Sequence, residues 1–332
     1  MRAPAFWWRE RPGLQARLLM PLATLYGAIA SQRMARAGVR ADVPVLCIGN
    51  FVAGGAGKTP TAIALAKMLR ARGESPAFLS RGFGGALSGP APLHVDPTLH
   101  LAADVGDEPL LLARVAPAFI CTDRIAGAQA AVRHGASVIV MDDGLQNPAL
   151  AKDLVIAAVD GATGIGNGLC IPSGPLRAPM AVQWRAADAV LVIGGGEAGA
   201  AVASAARAAG RLVLGAQLAP SQSDVARLLG KRVFAFAGIG RPEKFYATLR
   251  ACKAQLVGTH SFADHHPYGD GDLAALGAQA KAQGAELLVT TEKDAARIAP
   301  GALPGLSVLP VELIFDAPDD VAALLARLLS RA

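Results

Sequence analysis

Short apolar runs low in charge alternate along the chain with longer stretches whose apolar positions recur every three to four residues. The short runs lie at 44–49, 76–80, 117–121, 136–141, 154–159, 188–193 and 211–216. Near-continuous apolarity over so few residues predicts strands buried on both faces. Stretches such as 108–115, 124–134 and 197–209 have helical spacing and fall between them. This alternation predicts an α/β fold with a mostly parallel sheet and helices on both faces. A second series begins at Arg232-Val233-Phe234-Ala235-Phe236 and continues at 254–258, 285–290 and 306–313, with helices near 242–252 and 270–283. The polar junction Ser221-Gln222-Ser223 follows Pro220. The pattern divides the chain into an N-terminal segment at 1–40, a core domain at 41–220 and a smaller α/β domain at 221–332, with a cleft between the two domains. The final helix, 316–331, starts with acids and ends with arginines, which matches the helix dipole. It is open to packing on the smaller domain or back on the core.

The first 40 residues follow a different pattern. Phe6-Trp7-Trp8 and Arg9, Arg11 and Arg17 precede an uncharged stretch from Leu18 to Gln32, and Arg33, Arg36 and Arg40 follow it. Leu14, Leu18, Leu22, Leu25 and Ile29 form one helical stripe. A helix of this length reaches about 22 Å, short of the ~30 Å hydrocarbon core, and Pro21 interrupts it. Tryptophans and arginines flanking an apolar stripe predict a helix lying in a membrane interface. A core helix and a secretory signal ending near Ala28-Ile29-Ala30 are the alternatives. A secretory signal would export the chain away from ATP.

The candidate chemistry starts at Val52-Ala53-Gly54-Gly55-Ala56-Gly57-Lys58-Thr59-Pro60. A strand-like run precedes it. Ala62, Leu65, Ala66 and Leu69 follow at helical spacing, with Gly73 as a stop. Strand, glycine loop and helix together predict a P-loop NTPase-type phosphate site. Gly54, Gly55, Ala56 and Gly57 let backbone N–H groups turn toward phosphate, and the helix N-terminus adds its partial positive charge. Lys58 is placed for the β- and γ-phosphates of ATP and the Thr59 hydroxyl for Mg²⁺. The usual first glycine of such loops is Val52 here, so the doubled Gly54-Gly55 is expected to supply the flexibility. Val138 to Met141 is an apolar strand ending in Asp142 and Asp143, the arrangement that holds Mg²⁺ beside a phosphate loop.

Other stretches are less specific. Asp104-Val105-Gly106-Asp107-Glu108-Pro109 is a dense acidic turn, and spacing alone favours a helix start with Asp107 as its cap. His260, Asp264, His265 and His266 fall within ten residues. They suit acid–base work with a carboxylate better than zinc, because no cysteine is near and adjacent histidines point apart. Arg81 and Arg177 sit in Gly/Pro loops and suit phosphate.

A net charge of +6 and a pI near 9.4 suit an anionic partner. Without a long basic run interleaved with aromatics, nucleic acid is disfavoured. The four cysteines are scattered and form no C-x-x-C pair, as free thiols of a reducing compartment do.

In their order along the chain these motifs resemble the tetraacyldisaccharide 4′-kinase family, the lipid A kinases of Gram-negative bacteria. The resemblance rests on Gly49-Asn50 before the phosphate loop, Ser80-Arg81-Gly82-Phe83-Gly84-Gly85, Val105-Gly106-Asp107-Glu108-Pro109 and Asp142-Asp143-Gly144-Leu145-Gln146. It continues through Gly174-Pro175-Leu176-Arg177, Ala237-Gly238-Ile239-Gly240, Phe262-Ala263-Asp264-His265 and Thr291-Glu292-Lys293-Asp294. The family's loop also lacks the first glycine. The resemblance implies phosphorylation of the 4′-hydroxyl of an acylated glucosamine disaccharide 1-phosphate, giving the 1,4′-bisphosphate lipid IVA. It implies that Lys58 and Thr59 serve ATP and Mg²⁺, that Asp107 and His265 form a catalytic pair, and that Asp142 and Asp143 belong to the metal and catalytic region. Arg81, Arg124 and Arg177 become phosphate or substrate contacts. A peripheral position on the cytoplasmic face of the inner membrane is expected. The chain departs from the family pattern with Leu145 and Asn147, where the family has an aromatic residue and a histidine, and with Ala178, where the family has a glutamate. A soluble small-metabolite kinase and a membrane-associated regulatory ATPase are the rival readings. A switch ATPase needs no base at Asp264-His265.

Overall fold

Along the first strand, β1 (Val45–Asn50), every residue is buried. Leu46 and Ile48 point into one core, with Leu65, Leu69 and Phe78. Val45 and Cys47 point into another, with Leu79, Ile139 and Met141. Two cores on opposite faces of one sheet explain why the strands read as continuous apolar runs. The computed structural model describes residues 3–330. The large sheet also contains β2 (Pro76–Ser80), β3 (Leu93–His94), β4 (Ala118–Ile120), β5 (Val138–Asp142), β6 (Leu154–Asp160), β7 (Ala189–Ile193) and β8 (Leu212–Ala219). A separate sheet contains β9 (Arg232–Ala237), β10 (Gln255–Ser261), β11 (Leu287–Thr291) and β12 (Leu306–Leu309), all parallel in the order β10-β9-β11-β12.

The expected strand at 306–313 is two strands. Pro310, which has no N–H to give a ladder, separates β12 from β13 (Glu312–Phe315). β13 returns to the large sheet and pairs antiparallel with β8, Glu312 opposite Ala219. The chain thus leaves and re-enters the large sheet through two neighbouring strands. The order there is β13-β8-β7-β6-β1-β5-β2-β4-β3, parallel except for β13 and the short edge strand β3. Of the two placements open to the last helix, Pro318–Leu329 takes the core. Val321, Leu324, Leu325 and Leu328 are buried in the same cluster as Leu46 and Leu214. The expected end of that helix at Arg331 lies outside the described residues.

β1 lies between β6 and β5, with later strands added on the β6 side and β2 and β4 on the β5 side. Open α/β sheets bind ligands at the carboxyl ends of strands where the order reverses in this way. The phosphate loop leaves the sheet from β1 at that point.

After a short 3-10 helix at Ala5–Trp8 the N-terminal segment forms two α-helices, Leu14–Leu18 and Met20–Met34, broken at Leu19, with Pro21 in the first turn of the second. Ala16, Ala23 and Gly27 face the protein, and Gly27 lies against Pro179 and Cys170. Leu14, Leu18, Leu22, Leu25 and Ile29 are between 58% and 73% exposed, so the stripe is not part of a core. Among the described residues no helix is long and apolar enough to cross a membrane.

Candidate active site

The phosphate loop gets its shape from glycines at two positions. Gly54 has φ 112° and Gly57 φ 80°, and a Cβ at Gly57 would stand 2.6 Å from Ile193 Cδ1. Val52 is outside the tight part of the loop: it bridges to Leu176, and its side chain packs in the second core. The helix Lys58–Arg70 starts directly from Gly57. Lys58 is buried and folds back, its Nζ donating to Gly54 O at 3.4 Å and standing 3.8 Å from Asp143 Oδ1.

β5 delivers the two acids. Asp142 is fully buried, with the Thr59 hydroxyl 3.5 Å from Oδ2, and its Oδ1 has no hydrogen-bond partner among the described residues. Burial, and after it the charge of Glu108, push Asp142 up to about 7. Asp143 turns the chain with φ 57° and accepts from Arg177 Nη1 at 2.6 Å. Burial opposes ionisation of Asp143, but Lys58 and Arg177 hold its carboxyl below the usual range. Arg177 Nε donates to Val52 O at 3.0 Å, so one guanidinium ties the phosphate loop to Asp143.

The acidic turn corrects the reading from spacing. Gly106, φ 91°, is the helix cap, and Asp107 is the first residue of the helix Asp107–Ala113. Asp107 is buried, and it faces the other lobe. Its Oδ2 lies 3.1 Å from His265 Nδ1, and its Oδ1 accepts from Glu108 N at 2.9 Å. Burial would raise Asp107, but the hydrogen bond with His265 and the charges of Lys293 and Arg297 hold it down at about 2. The same hydrogen bond raises His265 above its ordinary value against the effect of burial. The Phe83 ring meets His265 edge-on at 6.0 Å.

Several residues unassigned from the sequence complete this cluster. Lys293 forms an ion pair with Glu108 across the lobes. Burial would raise the Glu108 carboxyl, but Lys293 and then Lys58 hold it low, so Glu108 is within reach of both Lys293 and the phosphate-loop lysine. Arg297 Nε stands 3.4 Å from Asp107 Oδ2. Its signal in the sequence is i,i+4 spacing from Lys293, and it lies just past the end of the Thr291-capped helix Glu292–Ala295, which is too short to show periodicity. On another side of the cleft Asp160, at the end of β6, pairs with Arg241 at 2.9 Å and with Lys244.

The remaining arginines differ in setting. Arg124 is buried, donates from Nη1 to Cys121 O at 2.6 Å and leaves Nε unpartnered among the described residues. Arg81 is exposed. Arg124 is close enough to Asp143 and Arg81 to feel both charges. The departures from the family pattern are structurally quiet. Leu145 is buried, beneath the point where a Cβ on Gly49 would stand 2.4 Å from its own Cβ. Asn147 Oδ1 accepts from Ala149 N in a turn, and Ala178 is fully buried.

The model of the tetraacyldisaccharide-1-P 4′-kinase family matches residues 15–330. A tetraacyldisaccharide 4′-kinase of Methylobacterium sp. strain 4-46 is 57% identical over 328 residues, covering 99% of this chain and 97% of that protein. One of Methylorubrum populi is 53% identical with both chains covered entirely. The solved structure of LpxK from Aquifex aeolicus in complex with ATP superposes with a TM-score of 0.73 at 21% identity, covering 95% of this chain and all of that one. At that identity the likeness is one of fold.

Proposed function

This chain belongs to the tetraacyldisaccharide-1-P 4′-kinase family and is an ATP-dependent lipid A 4′-kinase, and on that premise we propose that its two lobes divide the reaction between them. The large lobe grips the nucleotide. Gly54 to Gly57 and the N-terminus of the helix Lys58–Arg70 cradle the phosphates, and Lys58 leaves Asp143 and Gly54 O to meet the transferring phosphoryl group. The oxygen donors fit Mg²⁺, since Asp142 offers a buried, unpartnered Oδ1 and Thr59 a hydroxyl beside the same carboxylate. When bound there, Mg²⁺ supplies neutralisation of phosphate charge. Asp143 holds Arg177 against the phosphate loop, exposed Arg81 faces the acceptor's own phosphate, and buried Arg124 adds its charge from behind.

The acceptor hydroxyl is a weak nucleophile at neutral pH, so its proton must have somewhere to go. The Asp107–His265 couple takes it, acting as one unit because the two groups share a hydrogen bond. The observation that carries this reading is that contact, made across the cleft beside Glu108, whose carboxylate responds to both Lys293 and Lys58. Adjacent β8 and β13 are the connection about which the lobes close and shed water.

The exposed stripe from Leu14 to Ile29 lies in the lipid interface at the cytoplasmic face of the inner membrane, where an acylated disaccharide and ATP meet. The anchor is fastened to the site. Trp7 Nε1 donates to Pro172 O at 2.9 Å, Asn167 N to Trp7 O at 2.8 Å and Asn167 Nδ2 to Ser173 O at 2.9 Å, in the loop that leads to Arg177.

The test is to supply labelled ATP with a tetraacylated glucosamine disaccharide 1-phosphate in mixed micelles and identify the product. A glycolipid carrying the label at the 4′ position is expected. Label on a water-soluble acceptor, or as free phosphate without a lipid product, would refute the reading.

A further inference from the structure

We propose that Arg297 is a positioning residue for the phosphoryl transfer, holding Asp107 and the loop of His265 in one guanidinium so that the couple is formed when the lobes meet. The proposal rests on the reading that Asp107 and His265 accept the hydroxyl proton.

Arg297 is nearly buried, its side chain 8% exposed, and its nitrogens are all engaged. Nε, which also donates to Lys293 O at 3.1 Å, stands 3.4 Å from Asp107 Oδ2, the oxygen that meets His265 Nδ1. Nη1 donates to His266 O at 3.1 Å and Nη2 to Gly238 O at 3.0 Å. These two carbonyls define the His265 backbone: Gly238 O also accepts from His265 N at 3.0 Å, and His266 follows it directly. His265 has φ 57°, a left-handed conformation that a residue with a side chain holds only when its surroundings over-determine it. Arg297 supplies part of that determination and touches the other member of the couple with the same planar group.

The guanidinium is itself held from behind. Asp294 Oδ1 accepts from Arg297 Nη2 at 3.1 Å, from Gly238 N at 2.8 Å and from the Tyr268 hydroxyl at 2.6 Å, and Arg297 lies 5.8 Å from the Tyr268 ring centroid. Asp294 is fully buried. A lysine would keep the charge near Asp107 and would lose the fork that reaches both carbonyls.

The experiment compares Arg297→Lys in the full chain with the wild type, alone and in Asp107→Ala and His265→Ala backgrounds. It measures single-turnover rate, KM for ATP and thermal stability. Arg297→Lys is expected to fold, to keep KM for ATP within about twofold, and to lower the rate about 10- to 100-fold through misplacement of the couple. In either couple mutant it should cost less than about threefold more, because the pair it positions is already broken. An unchanged rate in Arg297→Lys, an equal loss in all backgrounds, or failure of the variant to fold would each overturn the proposal, the last by making the residue structural. Full activity of Asp107→Ala and His265→Ala would instead mark the failure of the couple itself.

Discussion

Asp107 and His265 stand 158 positions apart in the chain and 3.1 Å apart across the cleft. One begins a helix of the large lobe and the other sits in a strained turn of the small one. The hydrogen bond is thus assembled from one residue of each lobe. On the proposed reading, the contact couples lobe position to chemistry.

With the proposed role, the couple sets the acid side of the pH profile. His265 is raised above its ordinary 6.5, first by the hydrogen bond with Asp107 against the effect of burial; the charges of Asp107 and Asp264 add to it, and Lys293 opposes it. Glu108 and Arg297 surround the Asp107 side. A proton acceptor works while unprotonated, so kcat/KM should rise with pH through a midpoint above 6.5. In Asp107→Asn the residual activity should have a midpoint displaced to lower pH. A midpoint that stays put would detach the pH dependence from this pair.

The same pair makes stability depend on pH in two directions. The raised pKa of His265 contributes stability that is present below 6.5 and lost as pH rises through the folded value. The lowered pKa of Asp107 contributes stability present above 3.8 and lost as pH falls toward about 2. Asp107→Asn should flatten both limbs in thermal melts across pH, and a profile like the wild type's would contradict the assignment.

The N-terminal stripe is open to a partition measurement. Leu18, Leu22 and Leu25 are each more than half exposed. Moving such a side chain into lipid contributes about 1 kcal/mol or more. Replacing all three by Gln should weaken binding to phospholipid vesicles on the order of 100-fold, with thermal stability little changed. Equal sedimentation of mutant and wild type with vesicles would remove the anchor.

Two glycines of the phosphate loop should respond differently to one methyl group. At Gly57 the φ is 80° and a Cβ would meet Ile193, whereas a Cβ at Gly55 has no heavy atom within 4 Å. Gly57→Ala should lower stability by about 1–2 kcal/mol or more and weaken nucleotide binding, while Gly55→Ala should melt close to the wild type. Equal melting points for the two would mean the loop is not held in the conformation described.

The sequence exposed the parts of this fold that repeat a local rule. The buried strands, the phosphate loop and the helix at 124–134 announce themselves through apolar runs, glycines and helical spacing, although the Asp123 cap of that helix went unread. The return of β13 to the large sheet did not, because 306–313 is one apolar run and Pro310 alone marks the change of sheet. β3 is two residues long and has no pattern to read. Lys58, Thr59 and Asp142 stand in local patterns, a glycine loop and an apolar strand ending in acid, and the fold brings Thr59 and Asp142 together. Asp107 looked like a cap because its partner lies in the other lobe, and the family resemblance, more than spacing, drew it to His265. Arg297 had only its spacing from Lys293, and it bonds carbonyls at Gly238 and His266 that no side-chain pattern reveals.

The most direct measurement is a double-mutant cycle on Asp107 and His265, read as the single-turnover rate of 4′-phosphorylation at saturating ATP. Each alanine substitution should lower the rate about 10²- to 10⁴-fold while nucleotide affinity persists, and the double mutant should cost little beyond either single change. Losses that multiply fully would show two groups working independently and would contradict a shared proton acceptor.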